Sequence, residues 1–282
     1  MKVALIQVDG KWPNLALMKL ATWHKKHGDE VQLVDLSSVK ADRFYGSKIF
    51  MGGSGFDLKS ELPQEIELEY PDYELFKREG KIAFTSRGCI RDCGFCIVRE
   101  KEGHFRDLPF EFAPFDKVTL LDNNFLASPI WKEKLNYFIR HKIKVCFSQG
   151  LDIRLINREN ARVLSQVKYY DNNFNKRRLY FAFDDPKLEE EVLKGVAILN
   201  DNGIPSEHLL FYVLCGYNTK FEQDYRRFDV LQNLGCLPFI MLYNNKVNSQ
   251  TRKFARWVNK RYYKVVPFEK FSITANSRGE QM

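Results

Sequence analysis

Three cysteines in one short stretch carry the most specific chemistry in this chain. Phe84 to Cys96 reads FTSRGCIRDCGFC, spacing Cys89, Cys93 and Cys96 as CxxxCxxC with Phe95 directly before the third. Thiolates this close in one loop can converge on one metal centre, and as soft ligands they suit iron and sulfide. A cubane cluster has four irons and usually four cysteine ligands, so a set of three leaves one iron open. That iron can be chelated by the amino and carboxylate groups of a bound molecule, and the missing fourth cysteine reads as a substrate position. Zinc is the competing reading, with His104 as fourth ligand, since structural zinc takes four closed ligands. A disulfide is weaker, because no signal peptide precedes the cysteines and intracellular clusters favour metal or catalysis. Cys146, Cys215 and Cys236 stand alone at wide intervals and read as buried core thiols.

The spacing, with the aromatic before the third cysteine, resembles the signature of the radical S-adenosylmethionine (SAM) superfamily. The resemblance implies a [4Fe-4S] cluster that binds SAM, passes it one electron and cleaves it to methionine and a 5′-deoxyadenosyl radical, which then takes hydrogen from a substrate. It also implies an electron donor such as flavodoxin or ferredoxin, and adenine near the backbone of Phe95. It covers residues 81 to 245 through motif and strand order.

The elements that would position the cysteines begin at residue 81. Apolar strands end near Phe84, Leu121, Phe147, Phe183, Leu214 and Tyr243, about 30 residues apart, the length of a βαβ repeat. Helical spacing fills Ile130 to His141, Arg158 to Lys168, Lys187 to Asn200 and Phe221 to Leu234. The expected fold is α/β: a partial (β/α)6 barrel of radical SAM type over residues 81–245, preceded by a small half-Rossmann-like parallel domain over 1–57 and a linker over 58–80. In the first domain Val3 to Val8 and Val31 to Val34 read as strands, Asn14 to His27 as a helix stopped by Gly28, and Ile49 to Met51 as a third strand. The Gly52 to Gly55 loop matches neither GxGxxG nor a P-loop and reads as a turn. By layout this domain resembles the cobalamin-binding domain that precedes many radical SAM domains. Its Asp-x-His-x-x-Gly motif is absent, which argues against a bound cobalamin.

In parallel α/β folds, ligands meet the loops beyond the carboxyl ends of the strands. Those ends are polar here: Asp122, Asn123 and Asn124 after the second strand, Gln149, Asp152 and Arg154 after the third, Asp184 and Asp185 after the fourth, Gly216-Tyr217-Asn218 after the fifth, Asn244-Asn245 after the sixth. The resemblance implies that the Asp122 to Asn124 segment meets the methionine amino group, although it does not match the family's Gly-Gly-Glu type. Gln149, Asp152 and Arg154 suit ribose hydroxyls and a carboxylate, the alternative being an internal Asp152 to Arg154 pair. Asp184 and Asp185 suit a polar substrate, while Asp185 before Pro186 also suits a helix start. Arg87 and Arg91 would raise a cluster's potential, and are expected to face other groups or SAM.

The formal charge of +8 favours an anionic partner, nucleic acid among the options. Lys246 to Lys264 holds seven cations and no acid around Phe254, Trp257, Val258 and Tyr262, which suits one packed face and one solvated basic face. Residues 246–282 are read as this basic helix and a loose tail. No run is long enough to span a membrane, and the expected location is the cytoplasm. Beside a radical SAM enzyme of unknown substrate, the remaining readings are a tRNA- or nucleic-acid-modifying member and a non-catalytic zinc- or iron-sulfur-stabilised binding protein.

Overall fold

The computed structural model describes residues 1–8, 14–34, 40–47, 71–72, 74–76, 80–112, 115–244 and 247–272. The chain is a mixed α/β protein with parallel sheets, and it divides into two compact units, Met1–Ile82 and Ala83–Met282.

In the first unit, β1 (Lys2–Gln7) lies between β2 (Glu30–Leu33) and β3 (Arg43–Ser47), both parallel to it. β1 is central because Val3, Ala4, Leu5 and Ile6 form a continuous apolar run buried on both faces. Helix α1 (Leu15–Lys26) starts at Asn14, whose side chain accepts the N–H groups of Ala16 and Leu17 at 3.0 and 3.2 Å. Its buried stripe of Leu17, Leu20, Ala21 and His24 follows helical spacing. His24 is fully enclosed, with Nδ1 2.6 Å from Asp29 Oδ2 and Nε2 3.0 Å from the Tyr45 hydroxyl. The strand expected at Ile49 to Met51, the Gly52 to Gly55 loop and most of 58–80 lie outside the described residues, as do Asn245, Lys246 and the tail.

Of the remaining parallel strands, β4 (Lys81–Ala83), which straddles the unit boundary, joins β7 (Lys117–Leu120), β8 (Lys144–Phe147) and β9 (Lys168–Tyr169) in one sheet, and β10 (Leu179–Ala182), β11 (Leu209–Cys215) and β12 (Leu237–Leu242) form another. A parallel bridge between Leu151 and Phe181, with Leu151 N–H on Tyr180 O at 2.7 Å, links them. A small antiparallel pair, β5 (Ser86–Arg87) and β6 (Arg106–Asp107), brackets the cysteine segment and the short helix α2 (Val98–Glu102). The two-residue strand β9 has no counterpart in the sequence reading, being too short for a periodic signal.

Helices α3 (Trp131–Arg140), α4 (Arg158–Gln166), α5 (Glu189–Asp201) and α6 (Phe221–Asn233) fall within two residues of the expected stretches, and α7 (Ser249–Asn259) follows β12. Their apolar faces pack on alternate strand residues, among them Val118, Leu120, Val145, Phe147, Phe181, Phe211 and Val213. Cys146, Cys215 and Cys236 are buried. Among the described residues no helix is long and apolar enough to cross a membrane.

Candidate functional site

The cysteine loop leaves β4 and is tied down by residues from distant elements. Asp122, just past β7, is buried, and its carboxylate accepts Thr85 N–H at 3.0 Å and the hydroxyls of Thr85 and Ser86 at 2.6 Å. Burial pushes this carboxyl up, and the Ser86 and Thr85 hydrogen bonds only partly offset that. Lys134 on α3 is fully buried and donates to Thr85 O at 2.9 Å and Asp107 at 2.6 Å. Gly88 turns the chain at φ +71°, and a Cβ there would sit 2.2 Å from His104 O. That close approach accompanies the backbone bridge between Cys89 and His104, whose side chain is exposed.

Cys89 and Cys93 are half-buried and Cys96 is exposed. Cys96 N–H donates to Cys93 O at 2.8 Å. The Cys89 sulfur accepts Arg91 N–H at 3.3 Å and the Asn124 amide at 3.7 Å. The Cys93 thiol is pushed up by burial, with Arg154 opposing that and Cys96 and Cys89 adding to it. Among the described residues, however, no group of three or more Cys, His, Asp or Glu converges tightly enough to hold an ion.

Beside the thiols lies a polar network. Asp152 receives Arg154 Nε at 2.6 Å and a terminal nitrogen of the same guanidinium at 3.0 Å, Arg91 Nε at 3.0 Å, and Asn124 Nδ2 at 3.3 Å. Burial pulls the Asp152 carboxyl upward, but Arg154 and then Arg91 outweigh it and hold the group below its ordinary value. The internal Asp152 to Arg154 pair is therefore formed, and the Arg154 charge still reaches Cys93 and Cys89. Arg87 turns aside to Glu102 at 3.3 Å and stacks on Phe84 at 4.1 Å. Both loop arginines thus face other groups. The Asn124 Oδ1 is buried without a partner.

The remaining candidates spread along the same rim. Asn123 donates to Glu102 at 2.8 Å, and Gly88 N–H donates to the same carboxylate oxygen at 2.9 Å. Gln149 is exposed. Asp184 accepts Leu214 N–H at 2.9 Å, and burial raises its carboxyl against that bond and Arg227. Asp185 caps the turn at Pro186 by accepting Lys187 N–H at 2.9 Å. Phe95 packs edge-on against Tyr217 at 5.4 Å, and Tyr217 against Tyr243 at 4.7 Å. These rings lead to a cleft of about 550 Å³ lined by Gly216, Thr219, Tyr243, Asn244 and Thr251.

Glu102, Lys134 and Tyr217 position the loop, and sequence reading assigned them no role. Glu102 and Lys134 sit in ordinary charged helical stretches, and Tyr217 carried only the general polarity of its strand end. Neither a scan against protein-family models nor a search of curated proteins returns a match for this chain.

Proposed function

We propose that the chain is a radical SAM enzyme. The observation that carries this reading is the CxxxCxxC loop, tethered beyond β4, with the Asn124 amide on the Cys89 sulfur and the Asp152–Arg154 pair beside it. In this reading the two parallel sheets form a partial (β/α)6 barrel and the N-terminal sheet is a half-Rossmann-like domain.

The donor set suits a [4Fe-4S] cluster better than a single ion. Three thiolates without a fourth protein ligand match a cubane with one open iron, whereas structural zinc takes four closed ligands. With SAM bound, the cluster would supply one-electron cleavage of the sulfonium and a carbon radical for hydrogen abstraction. Cys89, Cys93 and Cys96 would hold it. Arg91 N–H and the Asn124 amide would donate to a ligating sulfur. Arg154, fixed by Asp152, would offer positive charge to a carboxylate, and the unpartnered Asn124 oxygen would accept from an ammonium group. The aromatic run Phe95, Tyr217 and Tyr243 would keep water from the adjoining cleft.

The test is anaerobic reconstitution with iron and sulfide, reduction with dithionite, addition of SAM and quantification of 5′-deoxyadenosine. Production by the native chain and its loss on replacing the three cysteines with alanine is the expected result. A loaded cluster whose electron paramagnetic resonance spectrum ignores SAM would instead indicate a non-catalytic iron-sulfur protein, and a colourless zinc protein would remove the reading.

A further inference from the structure

The opposite rim of the second unit has a different character. Lys117, Lys144 and Lys168 are each the first residue of a strand, and the register pairs Lys117 with Lys144 and Lys144 with Lys168. Residues paired in a parallel ladder project to the same side, with neighbouring strands about 4.8 Å apart, so three ammonium stems stand side by side. Like charges in this relation oppose strand pairing.

The cationic band continues beyond the ladder. Arg177 stacks on Tyr169 at 3.7 Å, donates to Val167 O at 3.0 Å, and keeps a buried Nε without a partner. Lys144 lies 5.6 Å from the Tyr170 ring. Arg178, directly before β10, donates to Glu207 O at 2.7 Å, and its guanidinium is pushed down by burial and also by Arg261 at the end of α7. His208 is lowered by burial and then by Arg177. Asp171, within this band, accepts Asn175 and Lys176 N–H groups with its carboxylate.

We propose that this rim is a binding surface for single-stranded nucleic acid, with phosphates along Lys117, Lys144, Lys168 and Arg177. A linear array of cations matches a chain of evenly spaced phosphates, which is the electrostatic part of single-strand binding. Stacking on Tyr169 fixes the plane of the Arg177 donors before a ligand arrives. The surface lies at the strand ends away from the cysteine loop and needs neither cluster nor SAM.

The experiment is fluorescence anisotropy with a labelled unstructured RNA of about 15 nucleotides, long enough for a single-strand site, titrated between low and physiological salt. The native chain is expected to bind with a strong inverse salt dependence. The triple variant Lys117→Gln, Lys144→Gln, Lys168→Gln should lose on the order of 100-fold in affinity at 0.1 M salt, with its log-log salt slope reduced by about two. The single variant Lys168→Gln, at an exposed position, should show about a third of that slope change and serves if the triple variant does not fold. Cys93→Ser should bind like the native chain, which separates this inference from the fate of the cysteine loop. No RNA binding at low salt, equal binding by the folded triple variant, or binding to phosphatidylserine vesicles in place of RNA would overturn it.

Discussion

The side-chain amide of Asn124 lies 3.7 Å from the sulfur of Cys89, and the same amide reaches Asp152 at 3.3 Å. One nitrogen thus joins the cysteine loop to the network that holds Arg154, while the amide oxygen remains buried and unpartnered. Replacing this donor with a like-sized acceptor should be worse than deleting it. Asn124→Asp would set a second carboxylate against Asp152 and the thiols, whereas Asn124→Ala also removes the orphaned oxygen, whose burial costs about 1–3 kcal/mol. Iron bound per chain after reconstitution and the thermal midpoint are both expected to fall in the order native, Ala, Asp. Equal loading of Asn124→Asp and the native chain would show that the bond to Cys89 is dispensable.

Two glycines in the loop should differ sharply. Gly88 has φ +71° and faces backbone, with His104 O 2.2 Å from a built Cβ; Gly94 meets only the hydroxyl end of Tyr217, at 2.6 Å. A side chain can swing aside and a paired backbone cannot. Gly88→Ala is expected to cost at least the ~1–3 kcal/mol of left-handed strain, plus the bridge to His104. Gly94→Ala should cost less than half as much. Urea unfolding of the two variants side by side measures the contrast.

Arg227 on α6 is expected to be a keystone of the C-terminal unit. Its guanidinium is buried and donates to Phe183 O at 2.6 Å, Leu214 O at 2.8 Å and Asp224 at 2.5 Å, joining the ends of β10 and β11. Arg227→Met leaves the Asp224 charge buried and alone, at a cost of about 3–5 kcal/mol. The double variant Arg227→Met, Asp224→Leu should recover part of that loss, as a double-mutant cycle of denaturant midpoints would reveal.

The pH dependence of stability should carry a contribution from His208. Burial, and then Arg177, hold its folded value below the ordinary 6.5, and its Nδ1 lies 2.9 Å from the Tyr169 hydroxyl. A base with a depressed folded value takes up its proton more readily when unfolded. Its stabilisation is therefore complete above pH 6.5 and is lost as pH falls through that value toward the folded one. His208→Gln should flatten the fall in thermal midpoint between about pH 7 and pH 5. An unchanged slope would place the titration elsewhere.

Much of the scaffold was legible in the chain because local pattern alone determines it. The apolar spacing of Ile130 to His141 predicts a helix, and α3 runs Trp131–Arg140; Phe221 to Leu234 becomes α6 over Phe221–Asn233. The strand Arg43–Ser47 escaped notice, since Arg43 and Phe44 are exposed, only Tyr45 is buried, and Gly46 interrupts the run. The cysteine spacing was equally plain, because three cysteines on one loop need no tertiary structure to be neighbours.

What the sequence determined by itself was the position of the main helices and longer strands, the loop that carries Cys89, Cys93 and Cys96, and the polar residues that follow those strands. Only the tertiary structure decided how those polar residues are spent. Asp122 turns to Thr85 and Ser86, Arg91 crosses to Asp152, Arg87 withdraws to Glu102, and Lys134 is buried under the loop. The physical reason is that periodicity and spacing act over a few residues, whereas a buried charge takes whatever partner the fold brings within about 3 Å, however distant along the chain.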